Sequence, residues 1–163
     1  MTRHEYTARV VWTGNRGQGT ASYRGYDRSW NVETPGKPVI RCSNDPLLGG
    51  DPALHNPEDM LLAALSACHM LWYLHLAADA GIAVQAYRDD PVGLGETLAS
   101  GAGRFLRVTL RPEITLPEGT DLVRADALHH EIGKVCFIAR SVNFPVDHAA
   151  RYVLRAPGGG ETG

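Results

Sequence analysis

Hydrophobic and polar residues alternate along the first third of the chain. Between residues 6 and 13 the even-numbered side chains are Tyr, Ala, Val and Trp, whereas the odd-numbered ones are mostly polar. This period of two is typical of a β-strand. A glycine-rich turn at 14–19 then supplies the positive φ angles that a tight reversal needs. Further strands are predicted at 20–23, 29–33 and 39–41, which together make an antiparallel meander.

A nearly uninterrupted apolar run from residue 60 to residue 78 predicts a long helix. Asn56 is expected to cap this helix, with Pro57 at its first position and Gly81 just beyond its end. The run is as long as a membrane span, yet its flanks are acidic and carry no lysine or arginine, which favours a fully buried helix. Because one chain of this length can hardly cover such a helix on every side, the pattern also predicts an oligomer.

The second half of the chain mixes strand and helix patterns. Its predicted elements are strands at 82–87, 104–116 and 151–155, a loop or hairpin at 89–103, and a helix at 121–141. The order of strands, long helix, strands, helix and strand indicates an α+β fold. We expect a single domain over residues 1–156 and a flexible, glycine-rich tail at 157–163.

The composition narrows the function classes. The chain has 163 residues, 44% of them hydrophobic, which fits one globular domain. Its 16 basic and 18 acidic side chains give a net charge of −2, a balance that argues against a nucleic-acid partner. The N-terminus has no apolar signal segment, so we expect a cytoplasmic protein that is not inserted in a membrane. Its three cysteines favour free or redox-active thiols over a structural disulfide framework.

Two sequence motifs and a late cysteine carry a family resemblance. The motifs are WTGNRGQGT at 12–20 and NPEDMLLAALSAC at 56–68, and the cysteine is Cys136. With these features the chain resembles the OsmC/Ohr proteins, named for osmotically inducible protein C and organic hydroperoxide resistance protein. The resemblance implies an intertwined homodimer in which strands of both subunits wrap two long helices. It also implies a thiol peroxidase that reduces organic hydroperoxides and needs no cofactor.

The resemblance assigns roles to four residues. Cys68 would be the peroxidatic cysteine and Cys136 the resolving one, while Arg16 and Glu58 would form the polar pair that activates Cys68. The chemistry agrees, because only a thiolate attacks peroxide and burial in an apolar helix opposes thiolate formation. A fixed arginine cation, oriented by a carboxylate, would reverse that effect. A dithiol such as dihydrolipoamide is the expected reductant of the disulfide that follows.

The spacing of Glu58 and Cys68 sets a condition on this arrangement. Ten residues of one straight helix place them about 15 Å apart along the axis, which is too far to share one arginine. Either the helix breaks after its first turns, or Glu58 and Arg16 reach Cys68 from the partner subunit.

Two aromatic side chains are candidates for an apolar substrate pocket. Trp72 lies one helical turn after Cys68, and Phe137 directly follows Cys136. In the best-known branches of the family the second cysteine tends to be followed by proline. The phenylalanine at this position therefore places the chain in a less characterised branch.

Four other residues receive structural interpretations. Cys42 has no counterpart in the family and is expected to be structural or incidental. His69, His129 and His130, together with Cys136, are potential metal ligands by residue type, but they lack the spacing of a metal site. We therefore expect no metal.

Two other functions fit the same residues. A binding protein would use an apolar pocket between subunits for a small hydrophobic or thiol-reactive ligand, with the cysteines merely lining it. A structural dimer would keep the thiols without using them. The protonation state of the Cys68 thiol discriminates among these three functions, because a peroxidase needs a thiolate near neutral pH and the other two do not.

Overall fold

The computed structural model describes residues 1–156 as two compact units. The first unit is Met1–Leu61, and the second contains the described residues from Leu62 onward. Both contain strands and the second contains most of the helical residues, so the α+β prediction is confirmed. The tail predicted at 157–163 lies outside the described residues.

The first unit contains the predicted antiparallel meander. Its strands are β1 (Arg9–Trp12), β2 (Trp30–Glu33) and β3 (Ile40–Cys42), hydrogen-bonded in that order. The strand predicted at 20–23 is wrong, because this segment forms turns and bends. Glycine-rich loop geometry explains the difference: the Asn15 side-chain oxygen accepts hydrogen bonds from the backbone N–H groups of Gly17 and Gly19, which curls the chain.

The long helix, α1 (Pro57–Asp79), begins and ends where the sequence predicts. The Asn56 side chain accepts a 2.8 Å hydrogen bond from the backbone N–H of Asp59, and the Asp59 carboxylate accepts one of 3.2 Å from the N–H of Asn56. This reciprocal pair satisfies two backbone donors at the helix start. Gly81, with a φ of 73°, follows the last turn, and such a conformation favours glycine.

Only one stripe of α1 is buried within the chain. The buried residues recur every four positions and are Leu65, His69, Tyr73 and Ala77. Leu71, on another face, is 62% exposed. A single chain therefore leaves part of α1 uncovered, as the sequence predicts, and burial of the helix on every side by a second copy stays a prediction. By length and composition alone α1 could also cross a membrane, a test that the core helices of other proteins pass as well.

The second unit contains two sheets of three strands. One has the order β4 (Ala86–Asp89), β7 (Pro112–Pro117), β9 (Arg151–Arg155), and the other has the order β5 (Val92–Thr97), β6 (Gly103–Leu110), β8 (Val146–His148). β4 pairs antiparallel with β7 and β5 with β6, whereas β8 and β9 join their neighbours in parallel.

Three sequence predictions in this unit need correction. Of the strand predicted at 82–87, only Ala86 and Tyr87 lie in a strand, β4. The single strand predicted at 104–116 is two strands in different sheets, divided at Arg111, whose backbone N–H donates to the Asp89 carboxylate instead of a strand neighbour. The helix predicted at 121–141 is α2 (Leu122–Val135) followed by a 3₁₀ turn at Ala139–Ser141. It ends early because Cys136 has an extended backbone, with a ψ of 112°.

The core of this unit packs around the buried stripe of α1. Side chains from α1, α2, β7 and the segment after α1 form one buried cluster: Tyr73, Ala77, Ile82, Ile114, Leu116, Ala125, Ile132 and Cys136. Cys68 and Trp72 pack against this cluster and are only partly buried. One of the predicted thiols is therefore part of the core, and the other lies at its edge.

Candidate functional site

The two predicted thiols lie in direct contact. The Sγ atom of Cys136 donates a hydrogen bond to the Sγ atom of Cys68 across 2.9 Å, although the residues are 68 positions apart. Cys68 lies in the middle of α1, and Cys136 is the residue that terminates α2. Both are free thiols. The extended backbone at Cys136 ends the helix at the position where its side chain meets α1.

Burial distinguishes the two thiols. Cys136 is 1% exposed, and its burial, together with the hydrogen bond it donates to Cys68, raises its pKa to about 11. It is therefore a neutral thiol, and a hydrogen-bond donor, near neutral pH. Cys68 is half-buried and accepts that hydrogen bond. A dissolved oxidant can thus reach Cys68 more readily than Cys136.

Arg16 and Glu58 do not form the predicted pair in the first unit. The Arg16 guanidinium makes an ion pair of 3.5 Å with Asp27 and donates a hydrogen bond to the backbone oxygen of Arg24. Both of these partners lie in the loop that follows the glycine-rich turn, so the arginine binds locally. Glu58 is exposed in the first turn of α1, where its charge complements the helix dipole.

The helix geometry excludes one of the two alternatives for Glu58. α1 runs without a break from Pro57 to Asp79, so Glu58 and Cys68 are about 15 Å apart along one axis. The alternative in which the helix breaks after its first turns is therefore wrong.

The two candidate pocket aromatics lie in different environments. Trp72 is half-buried against the core, and its ring meets that of His75 edge-on at 5.6 Å. Phe137 is 59% exposed. Cys42 is fully buried in the first unit at the end of β3, which agrees with its structural interpretation.

A cluster of imidazole rings lies beside the thiols and is the main feature that the sequence did not predict. His69 on α1 and His129 on α2 are joined by a hydrogen bond of 2.8 Å between Nε2 of His69 and Nδ1 of His129. The ring of His148, from β8, stacks on His129 at 4.8 Å, and His130 meets His148 edge-on. Among residues 1–156 no group of three His, Cys, Asp or Glu side chains has the geometry to hold a metal ion.

The central histidines of this cluster are held neutral. Burial, aided by the neighbouring His148, lowers the pKa of His69 to about 4. Burial and the three other histidines lower the pKa of His129 to about 3. One signal in the sequence points here: His69 and His129 are both potential metal ligands by residue type. His148 lay too far along the chain to be linked with them.

A further polar contact holds α1 against the sheet in the second unit. The Ser66 hydroxyl donates a 2.6 Å hydrogen bond to one carboxylate oxygen of Asp89, at the end of β4. The other carboxylate oxygen accepts the backbone N–H of Arg111. This contact was not predicted either, and it lies two residues from Cys68 along the helix.

Comparisons with known proteins agree with this architecture. The sequence profile of a family described as OsmC-like protein matches residues 50–150. An OsmC-like protein of unknown function from Vibrio cholerae is 30% identical, with a TM-score of 0.81 over 91% of this chain and 99% of that one. No protein with a curated description matches the chain.

Two more distant structures share the fold. An organic hydroperoxide resistance protein from Elizabethkingia anophelis is 18% identical, with a TM-score of 0.66 over 94% of this chain and 100% of that chain. An organic hydroperoxide resistance protein OsmC from Legionella pneumophila is 20% identical, with a TM-score of 0.64 over 92% of this chain and 98% of that chain. At these identities the similarity establishes the fold only.

Proposed function

The chain belongs to the OsmC-like protein family, and we propose that it is a thiol-dependent peroxidase that reduces organic hydroperoxides to alcohols. The observation that carries the proposal is the 2.9 Å contact between the sulfur atoms of Cys68 and Cys136. One of these thiols is accessible and the other is buried and neutral. A peroxidatic and a resolving cysteine need this division of properties. The distant relatives named for organic hydroperoxide resistance support the same substrate class.

The first step takes place at Cys68. Its thiolate attacks one oxygen of the hydroperoxide, an S–O bond forms and the O–O bond breaks. The departing alkoxide takes up a proton and leaves as the alcohol. The sulfur is oxidised to a sulfenic acid while the peroxide is reduced. The Cys136 thiol donates a hydrogen bond to the attacking sulfur and so lies ready for the next step.

The second step joins the two cysteines. The Cys136 sulfur attacks the sulfenic acid sulfur, the S–S bond forms and the S–O bond breaks. The departing hydroxide takes the proton of the Cys136 thiol and leaves as water. The thiols need to move by less than an ångström to reach bonding distance, since a disulfide bond is about 2.05 Å long. A dithiol such as dihydrolipoamide then exchanges with this disulfide and restores both thiols.

We further propose that the working form is a homodimer that completes the site. The exposed apolar face of α1, with Leu71 62% exposed, is the surface that a second copy would cover. Since α1 is unbroken, Glu58 cannot approach Cys68 of its own helix, so Arg16 and Glu58 act on the thiol of the partner subunit. To do so Arg16 exchanges its exposed ion pair with Asp27 for Glu58, a small cost because exposed pairs contribute little stability.

Trp72 and Phe137 are proposed to line the apolar entrance for the substrate. Trp72 lies one helical turn after Cys68, whereas Phe137 directly follows Cys136 and is 59% exposed. We place the protein in the cytoplasm, where cysteines remain reduced and can be recycled by a dithiol.

A peroxide-consumption assay tests the function. The purified protein should consume cumene hydroperoxide with dihydrolipoamide as the reductant. Cys68→Ser should abolish consumption, whereas Cys136→Ser should allow one turnover and then stop. Full activity in Cys68→Ser contradicts the proposal. No consumption by the wild type, with an alkyl hydroperoxide bound unchanged, would instead favour the binding-protein alternative.

A further inference from the structure

Helices α1 and α2 are joined by three successive contacts in the second unit. Cys68 meets Cys136, His69 meets His129, and the Tyr73 hydroxyl donates to the backbone oxygen of Ala125 at 3.2 Å. Positions rise along α1 while they fall along α2, so the helices run antiparallel along this seam. His69 directly follows Cys68 in α1, so the histidine contact is the next one along the seam after the thiol contact.

The histidine contact is well suited to fix the spacing of the helices. His69 is 7% exposed and His129 is 2% exposed, so water cannot replace the hydrogen bond between them. The ring of His129 also stacks on two further rings, those of Tyr73 at 4.5 Å and His148 at 4.8 Å. A buried hydrogen bond between rigid rings tolerates little change in distance or angle.

We propose that the His69–His129 pair is a positioning element for the thiols: it sets the spacing of α1 and α2 at which Cys136 lies against Cys68, and its loss slows formation of the Cys68–Cys136 disulfide. This inference rests on the proposed function only in taking a hydroperoxide as the oxidant of Cys68. Neither histidine touches the reacting atoms in this account. Both act through the helices that carry the cysteines.

The pair can act in this way only while both rings are neutral. A neutral imidazole has one donor and one acceptor nitrogen, so one ring donates and the other accepts. Two protonated rings would have only donors and would repel each other. Burial favours the neutral state of His129. His148 on β8 and His130 on α2 add to this effect, because a positive charge on either ring would repel a proton on His129. The titratable groups that face the cluster are Tyr73 on α1, His130 and Asp126 on α2, His148 and Asp147 on β8, Tyr87 on β4 and Tyr152 on β9.

The chemical step affected is the closure of the disulfide. With a hydroperoxide, Cys68 becomes a sulfenic acid, and Cys136 then displaces its hydroxyl group as water. With diamide, the Cys68 thiolate adds to the N=N bond, and Cys136 then displaces the adduct as the hydrazine, so the same S–S bond forms. Diamide therefore measures disulfide closure without requiring any peroxidase activity.

The test compares the two steps in matched variants of the full chain. Loss of the free Cys68 thiol and formation of the disulfide are followed by rapid quenching with an alkylating reagent and mass spectrometry, using diamide and, separately, cumene hydroperoxide. In His129→Leu we expect disulfide closure to slow by about five- to tenfold, the effect of one lost hydrogen bond. The first step should stay within about twofold of the wild type.

A conservative variant and two controls separate positioning from simple loss of stability. His129→Asn should restore closure, because its amide lies near the position of the Nδ1 atom that bonds to His69. His130→Asn changes the exposed neighbouring histidine and should have no effect. Tyr73→Phe removes a different hydrogen bond between the same helices and should leave closure within about twofold of the wild type.

Three results would overturn the proposal. These are closure in His129→Leu within about twofold of the wild type, no recovery in His129→Asn, or equal slowing in Tyr73→Phe. If His129→Leu does not fold, His69→Leu and His69→Gln form the second pair, since glutamine reaches the position of Nε2. If diamide gives the expected pattern but the hydroperoxide does not react at all, the peroxidase proposal fails and the positioning role stands.

Discussion

Ser66 on α1 and the end of β4 are tied together by a 2.6 Å hydrogen bond from the serine hydroxyl to the Asp89 carboxylate. The same carboxylate accepts the backbone N–H of Arg111, at the point where the chain leaves β6 for β7. One side chain thus holds the thiol-bearing helix and a sheet junction at once.

We expect Asp89→Ala to destabilise the protein by about 2 kcal/mol, since two hydrogen bonds to a charged group are lost together. Urea unfolding at neutral pH measures the change. Asp90→Ala is the matched control. The Asp90 carboxylate is exposed and makes only an ion pair with Arg88. An equal effect in both variants would show that the Ser66 and Arg111 contacts contribute nothing specific.

The two thiols should differ strongly in alkylation. With limiting iodoacetamide near neutral pH, Cys68 should be labelled first, because Cys136 is buried and its pKa is raised to about 11. Peptide mass spectrometry of the reduced native protein reports both sites. In Cys68→Ala the labelling of Cys136 should remain slow, since burial is the larger cause of its raised pKa. Faster labelling of Cys136 than of Cys68 would reverse the proposed order of the cysteines.

Acid should destabilise the protein through the buried histidines. His69 and His129 have pKa values of about 4 and 3 when folded, below the usual 6.5. As the pH falls below about 6.5, the unfolded chain binds protons that the folded chain cannot, so the free energy of unfolding decreases until the folded pKa values are reached. Burial and the neighbouring His130 also lower the pKa of His148, which adds to the loss of stability in acid. The Asp126 and Asp147 carboxylates partly offset this lowering of the His148 pKa.

Urea unfolding near pH 7 and near pH 5 measures this dependence. The double variant His69→Gln, His129→Asn should lose less stability on acidification than the wild type, by about 4 kcal/mol, since each histidine contributes about 2 kcal/mol over this pH range. His130→Asn serves as the control on the exposed neighbour. If the wild type and the double variant lose the same amount, the buried histidines are not the source of acid sensitivity.

The exposed face of α1 should be an interface. Burying a leucine side chain contributes about 1.5–3 kcal/mol, so Leu71→Asp should abolish the dimer or prevent folding. Sedimentation and concentration-dependent unfolding measure this. Val123→Asp, at an 82% exposed position on α2, is the control and should leave association unchanged. A folded wild-type particle of 17.7 kDa at micromolar concentration would contradict the homodimer.

Local signals in the sequence were sufficient for α1 and for strands β1, β2 and β3, although they also predicted a strand at 20–23 where the chain forms turns and bends. The cap at Asn56, the apolar run and Gly81 all act within a few residues of the helix ends, and they predict its bounds closely. Local patterns could not locate the break at Arg111, because apolar alternation continues through it and the Asp89 carboxylate that holds it lies 22 positions away.

The candidate site was predicted in part. The family resemblance linked Cys68 with Cys136, and the structure brings them together. It does not bring Arg16 to Glu58, because Asp27 lies on the same loop and forms the ion pair locally. The stack of His129 and His148 depends on the parallel pairing of β8 with β6. This contact joins segments far apart in the chain, and the local pattern of apolar and polar residues does not predict it.

Non-reducing peptide mapping after a single equivalent of cumene hydroperoxide tests whether Cys68 and Cys136 form one redox pair. We expect the Cys68 and Cys136 peptides to disappear together and reappear as one disulfide-linked species, while the buried Cys42 remains a free thiol. A main product that contains Cys42, or an unchanged Cys68 peptide after the peroxide has been consumed, would contradict this expectation.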